Sequence, residues 1–135
     1  MNNTRTALIT GGSKGIGYGV AEKLINDGIK VCITARTEVD VLKATADLNK
    51  LKDGYAIGMV SDVKSLDSQV AAVKYVLDTW GQLDYFIANA GVGHFAPIHD
   101  MTAEQWQETI DINLTGLFFS AKASLDALKA TKGYF

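Results

Sequence analysis

The segment Thr10-Gly11-Gly12-Ser13-Lys14-Gly15-Ile16-Gly17 follows the apolar run Thr6-Ala7-Leu8-Ile9 and leads into residues with helical spacing. Glycine suits such a junction for three reasons: it allows a tight turn, it lets a diphosphate approach the backbone, and it lets the helix sit close to a sheet. The free N–H groups and positive dipole end of the following helix would then face the phosphates. A glycine cluster alone says little, because any tight turn can contain one. Its position after the first strand and at the head of the first helix, inside a complete βαβ unit, points to a dinucleotide site.

Working outward, strand and helix patterns alternate along the chain. The first helix is expected over residues 15–27, with Ile16, Val20, Leu24 and Ile25 on its apolar side and Gly28 as its stop. Val31-Cys32-Ile33-Thr34 reads as the second strand, and Val39, Leu42, Ala46 and Leu51 mark the second helix. The third strand spans residues 55–60. A third helix follows Ser65 as its N-cap and carries Leu66, Val70, Val73, Leu77 and Trp80. Residues 85–88 form the fourth strand. Thr102 and Gln105 make a capping box for a helix containing Trp106 and Ile110. Beyond Asn113, which interrupts the apolar stripe, a long helix carries Leu114, Leu117, Phe118, Ala121, Leu125 and Leu128. The strands are continuous apolar runs, as in a parallel sheet covered on both faces. The fold class is therefore α/β, a doubly wound parallel sheet with strand order 3-2-1-4 and helices on both faces.

In such a sheet the tip of the second strand meets the adenosine ribose, roughly 20 residues past the glycines. An acid there would accept a free 2′-hydroxyl and repel a 2′-phosphate. The sequence has Ala35-Arg36-Thr37 instead, and Arg36 can fork onto a phosphate and cover an adenine face. Lys14 can reach the same phosphate. Either cation alone would read as a solvated surface charge. Together they favour NADP(H) over NAD(H), with Thr37 beside them.

The chain of 135 residues has 47% hydrophobic and 21% charged residues and a net charge of −2, which suits one globular domain over residues 1–135. There is no basic run to suggest a nucleic-acid or anionic-membrane partner, and no apolar stretch near the length of a membrane span. A strand begins within a few residues of the start, so no signal peptide is expected and a cytoplasmic location is the default. Cys32 reads as a buried thiol. His94 and His99 have no partners at metal-ligand spacing, so no metal site is expected.

These residues resemble the short-chain dehydrogenase/reductase family. The glycine loop is similar to that family's TGxxxGxG coenzyme motif, whose spacing is looser than the general Rossmann fingerprint, and it implies contacts from Gly11, Ser13, Lys14, Gly15, Ile16 and Gly17. Asp62-Val63 resembles the family's adenine-contacting pair, and Asn89-Ala90-Gly91 its motif after the fourth strand. Asn113, in Asp111-Ile112-Asn113-Leu114-Thr115-Gly116, is similar to the catalytic-tetrad asparagine, which implies a bound water and a proton relay. Each also has a plainer explanation: Asp62 as a loop acid, Asn89 as a turn residue bonding neighbouring strands, Asn113 as a satisfied buried amide. For Asn89 both readings hold together.

The resemblance implies a Rossmann-type oxidoreductase that moves a hydride between NADP(H) and a small-molecule carbonyl or secondary alcohol. It also implies a homo-oligomer, dimer or tetramer, with the long last helix as a candidate interface or internal core. The family's serine and Tyr-x-x-x-Lys pair are expected downstream. None of Tyr18, Tyr55, Tyr75 and Tyr85 has lysine four residues on, and Tyr134 has no such position. Gly133-Tyr134-Phe135 reads as a helix stop and the start of a fifth strand, so the domain is expected to be cut before that strand and inactive alone. The alternative is a non-catalytic dinucleotide-binding module. A methyltransferase-like nucleotide site is disfavoured by the Lys14 and Arg36 pair. His94, in the loop from Val92 to Pro97, reads as a surface or coenzyme-facing residue.

Overall fold

A computed structural model describes residues 3–135. Four strands, β1 (Thr6–Thr10), β2 (Lys30–Ala35), β3 (Ala56–Val60) and β4 (Tyr85–Ile87), form a parallel sheet in the order β3-β2-β1-β4. Helices α1 (Gly15–Asn26), α2 (Glu38–Asn49) and α3 (Leu66–Trp80) alternate with them. After β4 come α4 (Ala103–Ile110), one π-helical turn over Asp111–Thr115, and α5 (Gly116–Thr131). The expected fold class and strand order are both present.

The continuous apolar runs are explained by two-sided burial. Successive strand residues point to opposite faces. Ala7 and Ile9 of β1, with Val31 and Ile33 of β2, pack beneath Ala21 and Ile25 of α1 and Ala44 and Leu48 of α2. Leu8, Cys32 and Phe86 point the other way, against Ala72, Val73 and Val76 of α3 and Leu128 of α5. Burial pushes the Cys32 thiol up to about 12, so it is a packing residue with almost no thiolate at neutral pH. Strand β3 is the exception. It borders the sheet, and its residues after Ala56 are half-buried or exposed.

Several helix faces differ from the expected stripes. Helix α1 buries Gly17, Ala21 and Ile25, while Ile16 is exposed and Val20 and Leu24 pack at the margin. Helix α2 buries Val41, Ala44 and Leu48, and the expected Val39, Leu42, Ala46 and Leu51 all face out. Apart from Leu51, which lies beyond the end of α2, the two sets are alternative stripes on one helix. The one that packs lets α2 approach β3, where a Cβ at Gly58 would lie only 2.6 Å from Val41 Cγ1. Helix α3 begins at Ser65, whose Oγ accepts from Ser68 N–H at 3.2 Å, and ends at left-handed Gly81. It buries Gln69, Ala72, Val73 and Val76, with Val70 outside.

Helix α5 departs furthest from expectation. Its buried face is Gly116, Ser120, Ser124 and Leu128, whereas Leu114, Leu117, Phe118 and Leu125 are exposed. Burying the two serines costs little because each hydroxyl donates to the carbonyl four residues back, at 2.9 and 2.8 Å. The helix stops at left-handed Lys132, one residue earlier than expected. Tyr134 then pairs in parallel beside Tyr85: Phe86 N–H donates to Tyr134 C=O and Tyr134 N–H to Asp84 C=O. The last residues therefore lie where a fifth strand is expected. Among the described residues, no helix is long and apolar enough to cross a membrane.

Candidate functional site

The loops leaving the four strands converge on one cleft of about 280 Å³. Gly11, Ser13 and Lys14 line it from the β1 exit, Ala35, Arg36 and Thr37 from β2, and Asp62 and Val63 from β3. Asn89, Ala90 and Gly91 close it from β4. Ten of the fourteen residues singled out in the sequence meet there. Gly15, Ile16, Gly17 and Asn113 do not line the cleft.

The glycine loop is held by the sheet edges around it. Gly12 N–H donates to Thr34 C=O at 3.1 Å, which ties the turn to β2. Gly11 and Gly15 have φ of +65° and +60°, a region that L side chains adopt at a cost. Gly17 lies against Asn89: a Cβ there would sit 2.5 Å from Asn89 Nδ2 and 2.6 Å from Gly11 O. The Asn89 amide donates to Thr10 C=O at 3.2 Å and to Gly11 C=O at 3.1 Å. Thr10 Oγ1 accepts the backbone N–H groups of both Asn89 and Ala90. Asn89 and Thr10 thus staple the glycine loop to the end of β4. Thr10 is not among the expected site residues, and only its place before the glycines hints at it.

Helix α1 has Lys14 as N-cap with no side-chain cap and no acid in its first turn. Its first intrahelical bond runs from Tyr18 N–H to Lys14 C=O at 3.3 Å. The earlier N–H groups are left to solvent or an anion. Around Gly15 nothing lies within 4 Å of the missing Cβ, so the approach is open. An uncapped helix start, an open glycine turn and two free cations together fit a diphosphate. The Lys14 and Arg36 side chains are exposed and make no hydrogen bond or ion pair among the described residues.

Asp62 is set by a local network. Its Oδ1 accepts Lys64 N–H at 2.9 Å, while its own N–H donates to Ser68 Oγ at 2.9 Å. Ser68 Oγ also lies 2.9 Å from Ser61 Oγ, which accepts from Gln69 Nε2 at 3.4 Å. Among the described residues the second carboxylate oxygen of Asp62 has no hydrogen-bond partner. This network of Ser61, Ser68 and fully buried Gln69 has no sequence signal, because only the fold brings the end of β3 under α3. Replacing Ser68 with Ala strips a partner from Asp62 N–H and from buried Ser61. We expect a loss of about 1–2 kcal/mol of unfolding free energy in urea titrations. A loss below about 0.3 kcal/mol, within ordinary surface scatter, would show the network to be idle.

Asn113 sits in the π turn and is exposed, so the buried-amide alternative is corrected: the amide is satisfied, but at the surface. Its Oδ1 accepts Val92 N–H at 2.9 Å and its Nδ2 donates to Val92 C=O at 2.7 Å. Both ends of the amide are spent on the loop after β4. His94 Nε2 lies 3.3 Å from Glu108 Oε2, tying the same loop to α4. One acid on the cleft wall lies outside the expected set altogether: Asp40, in the first turn of α2.

The sequence matches the short chain dehydrogenase family over residues 5–134, and the chain belongs to that family. It is 34% identical over 123 residues to glucose 1-dehydrogenase 2 of Bacillus subtilis, covering 90% of this chain and 48% of that protein. An alcohol dehydrogenase from the archaeon Thermococcus sibiricus, solved with 5-hydroxy-NADP, superposes with a TM-score of 0.90 at 34% identity, covering 97% of this chain and 56% of that one. An actinorhodin polyketide ketoreductase, solved with NADPH, superposes with a TM-score of 0.89 at 29% identity, covering 96% and 49%. The chain spans about half the length of the curated relatives it matches.

Proposed function

We propose that this chain forms the coenzyme-binding half of an oxidoreductase acting on a small-molecule carbonyl or secondary alcohol, with NADP(H) preferred over NAD(H). The observation that carries the reading is the presence on one cleft of the free Arg36 and the free Lys14, the latter being the N-cap of the uncapped α1. Neutral Ala35 ends β2 beside them.

In this reading the N–H groups of Gly15, Ile16 and Gly17 receive the diphosphate, and Gly11 and Ser13 form the floor of the turn. Lys14, Arg36 and Thr37 hold the 2′-phosphate. Asp62, with its free carboxylate oxygen, accepts the adenine amino group beside the Val63 backbone. Asn89, Ala90 and Gly91 present a narrow wall to the nicotinamide ribose. When bound, the coenzyme supplies or accepts the hydride. Asn113, its side chain locked onto Val92, offers backbone in the π turn to a relay water; π turns frequently mark functional positions. Proton transfer to substrate falls to the serine, tyrosine and lysine that the family carries in its other half. A homo-oligomer using the exposed Leu117, Phe118 and Leu125 face belongs to the same proposal.

The test is an equilibrium titration of the full-length protein with NADPH and with NADH, followed by coenzyme fluorescence. NADPH should bind at least ~10-fold more tightly, a difference of about 1.4 kcal/mol. The same protein should oxidise NADPH when offered simple ketones and aldehydes. Equal or tighter binding of NADH would remove the coenzyme preference. Binding without turnover would favour a dinucleotide-binding module.

A further inference from the structure

Asp40 places a negative charge where the coenzyme reading has none. It lines the cleft beside Arg36 and Thr37, and it also lines a second groove between α1 and α2 with Ser13, Lys14 and Tyr18. Elsewhere on α2, Asp47 is held by Lys43 at 2.8 Å and Lys50 at 2.9 Å. Asp40 has no such partner: among the described residues its carboxylate makes no hydrogen bond or ion pair, and it is exposed. One end of the cleft is therefore ringed by two free cations and one free anion.

We propose that Asp40 is a specificity-determining residue that opposes a phosphorylated adenosine ribose and supports an unphosphorylated one. The inference rests on the dinucleotide reading above. A 2′-phosphate drawn in by Lys14 and Arg36 enters the field of the Asp40 carboxylate, and like charges repel. A free 2′-hydroxyl can instead donate to that carboxylate. The chain then discriminates between the two coenzymes less sharply than its two cations alone would allow.

Asp40→Asn in the full-length protein tests this by dissociation constants for NADPH and NADH at low and high salt. NADPH binding should tighten ~5-fold with NADH unchanged or slightly weaker, and the effect should shrink as salt screens the exposed charges. A residue that merely supports the start of α2 would shift both coenzymes together, along with the melting temperature. An unmoved ratio of the two constants, or a ratio moved toward NADH, overturns the proposal. Arg36→Ala, measured alongside, separates the two claims. If it weakens NADPH while Asp40→Asn leaves the ratio alone, only the Asp40 inference fails. If neither variant moves the ratio, the coenzyme reading fails with it.

Discussion

Arg36→Asp is expected to weaken NADPH binding by ~100-fold, about 3 kcal/mol, and to leave NADH binding equal or improved. The guanidinium stands at the exit of β2 with no competing partner among the described residues, so its donors are available to a phosphate. Removing it deletes charge-assisted hydrogen bonds and a favourable field. Installing a carboxylate adds repulsion of a dianion and an acceptor for a free 2′-hydroxyl. Because the Arg36 side chain bonds to none of the described residues, the melting temperature should hold, which separates a coenzyme effect from a folding effect. The loss should also be larger at low ionic strength, since the group is exposed. Titration of both coenzymes settles the matter: a variant that still binds NADPH as the parent does would end the case for a phosphate at this end of the cleft.

The second large effect is at Gly17. In the Ala variant the new methyl would lie 2.5 Å from Asn89 Nδ2 and 2.6 Å from Gly11 O, closer than packed atoms sit. Relief requires α1 to back away from the sheet or Asn89 to swing out. The second route breaks both bonds from the Asn89 amide to the glycine loop. Overpacking and lost hydrogen bonds together should cost about 3 kcal/mol, or roughly 10 °C in melting temperature for a domain of this size. Coenzyme affinity should fall as well, because the loop that receives the diphosphate loses its anchor. Gly19 supplies the control. It is on the same helix with nothing within 4 Å of its missing Cβ, so Gly19→Ala should be neutral or stabilise by up to about 1 kcal/mol. If the two variants melt together, the close approach of Gly17 to Asn89 carries no energetic weight.

Much of the architecture is legible in the residue order. The runs around Leu8 and Cys32 are apolar without alternation because both faces of β1 and β2 are covered, and such runs identify themselves. Ser65 and Thr102 are readable as caps because capping needs only a short oxygen-bearing side chain a few residues from a free N–H. The cleft is legible for a related reason. In a parallel sheet every strand exit opens on one edge, so motifs scattered over eighty residues of chain come together there.

Helix faces are less legible. On α2 two apolar stripes compete, and the stripe that packs is selected by how near β3 the helix can lie. On α5 most of the larger apolar residues point outward, and three of the four residues it buries are glycine and serine, with Leu128 the apolar one, against a simple hydrophobicity ranking. Asn89 and Asn113 are marked by sequence as polar residues in notable places. That the Asn89 Nδ2 serves the glycine loop, and that both ends of the Asn113 amide serve Val92, is not. Asp40 carries no local signal because, twenty-six residues from Lys14, nothing nearby in the chain says that the two share a groove.

By itself, then, the order of residues determined the strand sequence, the sheet's winding and the glycine turn at its head, because these follow from periodicity, backbone freedom and short-range hydrogen bonding. Which helix faces are buried, how Thr10 and Asn89 brace the turn, and which charges surround the ribose end were decided by tertiary structure alone. Those depend on distances between segments far apart in the chain, and no local pattern encodes a distance.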